Sequence, residues 1–135
     1  MREYRLNGRN DLREEVSRDF PGRRVIFDES LTLPASYLSR IREGSKRTTI
    51  KFSPDAIRLP RRQLPAVEKR SGLTVGRVSY RGVVVKQYSE LTEEDAQSDG
   101  FETLRDLRME LEAAYGAFAP ESLLSIHQFE RWENA

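Results

Sequence analysis

The sequence predicts a single α+β domain built on a small twisted sheet or barrel, and three observations lead to that class. Two strand-like segments, Gln63 to Glu68 and the valine-rich Leu73 to Tyr88, are joined by Lys69-Arg70-Ser71-Gly72, a turn of hairpin length with glycine where a positive φ is needed. Segments of helical spacing precede and follow this hairpin, giving the order strand, helix, strands, helices, strand. The chain has 135 residues and 37% hydrophobic content, which suits one core and is too short for two well-packed ones.

Taken in order, residues 1–22 read as a charged accessory arm and residues 23–135 as the domain. The arm holds one short helix from Asp11 to Phe20, with Leu12, Val16 and Phe20 spaced by four, closed by Phe20-Pro21-Gly22. Arg24-Val25-Ile26-Phe27-Asp28 favours a short strand. Pro34 to Glu43 reads as a helix with proline in its first turn, Leu38 and Ile41 inward and Gly44 as its left-handed stop. The chain then turns β-like, with Ile50 and Phe52 on one side and Thr49 and Lys51 on the other, directed away from the core. Strict alternation would put Lys46 beside Ile50. The strand is therefore expected to start after Lys46, leaving its ammonium hydrated in the turn.

Residues 53–63, with Pro54, Pro60 and Arg61-Arg62, read as a basic, irregular connection with an extended piece at Ala56 to Leu59. In the hairpin Val75, Val78, Val83, Val84 and Val85 supply a β-branched core, while Gly76 and Gly82 allow the bends or bulges that a small barrel needs. Thr92-Glu93-Glu94-Asp95 opens a short acidic helix stopped by Gly100. Thr103-Leu104-Arg105-Asp106 opens a longer one, with Leu104, Leu107, Leu111 and Tyr115 at helical spacing before Gly116. Leu123 to Phe129 alternates like a returning strand, and Trp132 is expected to cover the edge of the core.

Several chemistries are excluded or disfavoured. With no cysteine, disulfides, thiolate metal sites and cysteine nucleophiles are absent. His127, the single histidine, sits in a strand without a partner motif and reads as structural. Glu93-Glu94-Asp95 points in several directions around a helix start, so it complements the helix dipole rather than gathering a metal. No P-loop, Rossmann fingerprint or nucleophile elbow occurs, and no cofactor is expected. No apolar run resembles a signal peptide or a membrane span, so a cytoplasmic protein is expected.

The formal net charge of +1 conceals an asymmetry: residues 1–89 hold 20 Lys and Arg against 10 Asp and Glu, whereas residues 90–135 hold 3 against 12. Arginine outnumbers lysine 19 to 4, which favours planar, bidentate contacts to phosphate or carboxylate. Two readings follow. The acidic half folds onto the basic half, or a basic surface faces nucleic acid.

The motifs resemble a known family when read together. Val25-Ile26-Phe27, the helix ending at Gly44, Gly44-x-Lys46-x-x-Thr49-x-Lys51, the valine-rich strands, Leu91-Thr92-Glu93-Glu94-Asp95-Ala96, Asp99-Gly100-Phe101 and the Leu-rich helix with Tyr115 are similar to an ASCH domain over about residues 24–130. The resemblance implies a small PUA-like β-barrel flanked by helices. It also implies one of several activities, since the family includes predicted RNA-binding modules, a ribonuclease type, and an amidohydrolase type that deacylates N4-acylcytidine with a lysine, a threonine and a glutamate. By motif position those residues correspond to Lys46, Thr49 and Asp99, the last a shorter carboxylate.

In the hydrolase reading Lys46 activates the Thr49 hydroxyl, which requires its pKa to be lowered by burial or nearby cations, and Asp99 passes a proton to the leaving amine. In the binding reading Arg40, Arg42, Lys46, Arg47, Lys51, Arg58, Arg61 and Arg62 form a basic cleft along an RNA or modified-nucleoside ligand. Thr49 and Asp99 then bond a base edge, and Tyr80 or Tyr88 is a candidate for stacking. Each residue also has an ordinary role: Lys46 and Thr49 as surface residues opening a strand, Asp99-Gly100 as a turn, and the tyrosines as core.

Overall fold

The computed structural model describes residues 1–135. In chain order its elements are β1 (Arg2–Arg5), α1 (Arg13–Asp19), β2 (Arg24–Phe27), β3 (Leu31–Leu33), α2 (Ala35–Glu43), β4 (Thr48–Lys51), β5 (Ala56–Leu59) and β6 (Gln63–Glu68). These are followed by β7 (Thr74–Gln87), α3 (Glu93–Ser98), α4 (Leu104–Tyr115) and β8 (Leu123–Asn134). The main sheet runs β3-β6-β7-β8-β4, with β1 also paired to β7; β2 and β5 form a separate parallel pair. The sheet curls into a half-barrel with four α-helices, the α+β class that the sequence predicts.

The long strand β7 organises this sheet. Its first half pairs with β6, its second half with β1, and nearly its whole length with β8. The ladder to β8 shifts register around Tyr80, where irregular pairing bends the strands and curls the sheet. Gly82 lies at this bend. A Cβ there would sit 2.1 Å from the Tyr4 carbonyl oxygen, so only glycine lets β1 lie this close.

Pairing sorts residues onto two faces. Tyr4, Val83, His127 and Thr49 form one cross-strand row, and Glu3, Val84, Ile126 and Ile50 form the next row, on the opposite face. Both faces carry a core. The first belongs to a cluster of 15 buried residues that includes Leu6, Leu12 and Val16 from the first 22 residues. The second holds eight, among them Ala96, Leu107 and Leu111 of α3 and α4. Thr49 lies opposite Ile50 as alternation requires, but its face is covered rather than solvated, so it is buried; Lys51, two residues on, is half-buried.

Two strands are not anticipated by the sequence reading. β1 is Arg-Glu-Tyr-Arg, in which only Tyr4 is buried, so its form comes from the β7 edge rather than from propensity. β3 is three residues long and pairs parallel to β6. β8 runs past Phe129 to Asn134, with Trp132 opposite Val78 and packed against the larger core.

His127 is fully buried. Its Nε2 lies 2.9 Å from the Arg58 carbonyl, which only accepts, so that nitrogen carries the proton. Nδ1 faces Asp28 at 4.0 Å without a hydrogen-bond partner. Burial pushes the imidazole pKa down to about 4, with Asp28 opposing the shift and Lys51 and Arg58 adding to it. A depressed histidine pKa means that the unfolded chain binds the extra proton first. Stability should therefore fall as pH drops from about 6.5 towards 4, by roughly 3 kcal/mol over that window. Urea unfolding at several pH values checks this: His127→Gln, which keeps a donor towards Arg58, should flatten that part of the profile.

Candidate functional site

The site is built where the chain leaves α2. Gly44 caps this helix at φ 90°, as expected. Beyond it Lys46 and Arg47 are clamped by three backbone hydrogen bonds: Lys46 N to Arg40 O at 3.1 Å, Arg47 N to Ser98 O at 2.7 Å, and Phe129 N to Arg47 O at 3.0 Å. Opposite them α3 ends at Asp99, and the Arg40 guanidinium reaches over to donate to the Gly100 carbonyl. Helix α2, the end of α3 and strand β8 thus meet at Lys46.

Lys46 is buried, which corrects the expectation of a hydrated turn lysine. Its Nζ lies 3.1 Å from Asp99 Oδ1 and donates to the Asp99 carbonyl at 2.9 Å. Thr48 Oγ1 donates to the same Oδ1 at 3.2 Å, and the Tyr37 ring lies 5.4 Å from the ammonium. Tyr37 is in turn held by its hydroxyl, which donates to Glu110. Burial lowers the Lys46 pKa against the pull of Asp99, and burial raises the Asp99 pKa against Lys46 and Thr48. Both partners are therefore moved towards their neutral forms.

Lys46 and Asp99 are brought together as the sequence reading expects, but Thr49 makes no hydrogen bond to either. Thr48 occupies that place. The register of β4 against β8 turns Thr48 towards Asp99 and Thr49 towards the face that holds His127. That register depends on long-range pairing, which the doublet Thr48-Thr49 does not signal.

A second polar group lies on the Thr49 face. The Asp28 carboxylate accepts from the Arg58 guanidinium, and Arg58 presents its carbonyl to Ser125 and His127. Lys51 belongs to this region. Burial lowers its pKa, Asp28 and Asp99 oppose the shift, and Arg58 and Lys46 add to it, so these charges share one environment. Tyr115 lies within the fields of Arg58, Asp28 and Asp99, and its ring meets Phe52 edge-on at 5.8 Å. Lys51 joins no ion pair, whereas Lys46 and Arg58 each have a carboxylate.

The expected basic track is divided. Arg40 is committed to Gly100 and Arg58 to Asp28. Arg61 reaches Asp11 at 3.4 Å and lies over the Phe27 ring, while Arg62 points to the Gly8 carbonyl, so residues 1–22 occupy both. Arg42 and Arg47 remain exposed and line a cleft of about 490 Å³ together with Lys46. Neither candidate tyrosine is available for stacking. Tyr80 is buried against His127 and Phe129, and Tyr88 already stacks on Phe118 at 4.7 Å. The two charge halves do meet: Lys46–Asp99 and Lys86–Asp95 link them, both lysines being buried.

Comparison with known proteins agrees with this architecture. The family model for the ASCH domain matches residues 23–133. No curated protein matches the sequence significantly. Among solved structures, an ASCH domain from Lactobacillus crispatus is similar at TM-score 0.59 and 16% identity, over 86% of this chain and 83% of that one. A point variant of the ASCH protein from Zymomonas mobilis gives 0.57 and 13%, over 83% and 73%. A protein from Enterococcus faecalis gives 0.56 and 17%, over 82% and 77%.

Removing one partner of the buried pair leaves the other charge enclosed. Lys46→Met should therefore cost about 3–5 kcal/mol of stability in urea unfolding. Adding Asp99→Asn should recover most of that loss, because the remaining buried group is then neutral and Thr48 can still donate to it.

Proposed function

The chain belongs to the ASCH domain family, and from that membership we propose that it binds RNA or a nucleotide-like ligand, with a phosphate or other anionic group received beside Lys51. Lys51 itself carries this reading. Its side chain is half-buried, so that desolvation lowers its pKa, yet it has no carboxylate of its own, an arrangement that costs stability until an anion arrives. Lys46 and Arg58 add positive charge around it, against Asp28 and Asp99. The exposed Arg42 and Arg47 extend that charge to the surface.

A second reading is hydrolysis, either of N4-acylcytidine or of RNA, by Lys46, Thr49 and Asp99. It is favoured by one observation: Lys46 and Asp99 are both moved towards neutrality, which makes proton exchange between them inexpensive. Against it, Thr49 lacks a hydrogen bond to either group, and the hydroxyl at Asp99 is that of Thr48.

Incubation with labelled single-stranded RNA and, separately, with N4-acetylcytidine distinguishes the readings. Retention without turnover supports binding; released cytidine or shortened RNA supports hydrolysis; no retention and no turnover overturns both. Lys51→Met provides a sharper check on the binding reading. It should raise stability by roughly 0.5–2 kcal/mol, because a desolvated charge is removed. It should also weaken RNA binding and reduce the salt slope by about one counterion. Unchanged affinity in this variant would remove Lys51 from the site.

A further inference from the structure

We propose that the cleft beside Lys46 is a second nucleotide subsite with Trp132 as its stacking platform, so that the ligand is a single-stranded oligonucleotide rather than one nucleoside. This inference rests on the binding reading above and extends it from the Lys51 region to the outer surface.

The cleft is lined by Arg42 and Gly44 at the end of α2, by Lys46 and Arg47, and by Phe129 and Trp132 of β8. Its volume of about 490 Å³ lies within the roughly 300–1,000 Å³ of small-molecule sites. Arg42 and Arg47 join no ion pair, and Arg131 at the rim is held by Glu133 at 2.7 Å. One acid, Glu130, also lines the cleft.

Trp132 is held in place before any ligand arrives. Its indole lies against the backbone of β7 at Gly76, where a Cβ would come within 2.4 Å of the ring, and its Nε1 donates to Asn134 at 2.9 Å. The ring also remains partly exposed and lines the cleft. A fixed, partly exposed indole that shares a cleft with two unpaired guanidinium groups is the combination that receives a base on its π-face and the flanking phosphates on the cations. Stacking of this kind does not select a base, so little sequence preference is expected.

The chemistry changes beyond Arg47. The adjoining cleft, which Arg47 and Phe129 also border, is lined by Glu3, Glu94 and Asp95 along with Arg81 and Lys86, and Lys86 is neutralised by Asp95. Those carboxylates oppose phosphate. The strand therefore runs from the Lys46 region outwards over Arg42 and Trp132 rather than across to Arg81.

Trp132 is the only tryptophan, so its emission reports on this subsite alone. Titration with an eight-nucleotide oligoadenylate RNA should quench it saturably, in parallel with anisotropy of the labelled RNA. Trp132→Leu should weaken octamer binding about 5- to 100-fold, and Trp132→Phe should retain most of it. Arg42→Ala should weaken it with a smaller salt slope, while Arg81→Ala should leave it unchanged. If Trp132→Leu does not fold, quenching in the wild type together with Arg42→Ala still decides. Octamer binding without quenching, or with wild-type affinity in Trp132→Leu or Arg42→Ala, overturns the subsite while leaving the binding reading in place. Absence of binding to any RNA or nucleotide overturns both.

Discussion

The Lys46–Asp99 pair is the contact on which the geometry of this molecule turns, because it joins the basic and acidic halves of the chain where neither charge can be left to water. Ion pairs in such surroundings are held by geometry rather than by net Coulomb gain, since desolvation cancels much of the attraction. The surrounding structure accordingly supplies further partners. Thr48 donates to the carboxylate, the Asp99 carbonyl accepts from the ammonium, and Tyr37 presents its ring. The backbone bond from Arg47 to Ser98 fixes the same two segments independently of the charges. The position of α3 on the sheet and the mouth of the outer cleft both follow from this junction.

The sheet supports that junction by burying both faces. A sheet with one solvated face would have left Thr49, Lys51 and His127 in water, where their interactions would be weak and screened. Here residues 1–22 and the β2–β5 pair enclose one face, and α3 and α4 cover part of the other. Polar groups on the enclosed face must then satisfy one another. Arg58 shows how far this goes: its guanidinium binds Asp28 while its carbonyl accepts from both Ser125 and His127. Lys51 stands out because the nearby carboxylates, Asp28 and Asp99, are paired with Arg58 and Lys46 and leave it without an ion pair of its own.

Much of this was legible in the sequence wherever local patterns decide the outcome. The stop at Gly44, the hairpin turn at Gly72, the capping residues Thr92 and Thr103 and the spacing of Leu107 and Leu111 all have local causes, and each element they mark is present. What could not be read depends on pairing between distant segments. Tyr4 becomes a strand residue only because β7 offers an edge beside Gly82. The exchange of Thr49 for Thr48 at Asp99 is a matter of register, and a shift of one residue reverses every side chain. The burial of Lys46 was misread for the same reason, since its counter-ion lies fifty-three residues away and carries no local signature.

Trp132 connects fold and surface in a way that its sequence position alone conceals. The first half of β7 pairs with β6 along one edge, and β8 continues beyond Phe129 along the other and brings Trp132 opposite Val78. The absence of a side chain at Gly76 then lets the indole lie against the strand, and this contact, not a dedicated loop, sets the ring beside Arg42 and Arg47. The packing that completes the sheet edge is thus the packing that would make the ring rigid enough to stack. A platform built on a strand loses little conformational entropy when a base arrives, whereas an equally exposed aromatic on a mobile loop must first be ordered. The same constraint ties the platform to Lys46, because the backbone bond from Phe129 to Arg47 anchors β8 to the segment that carries the buried pair.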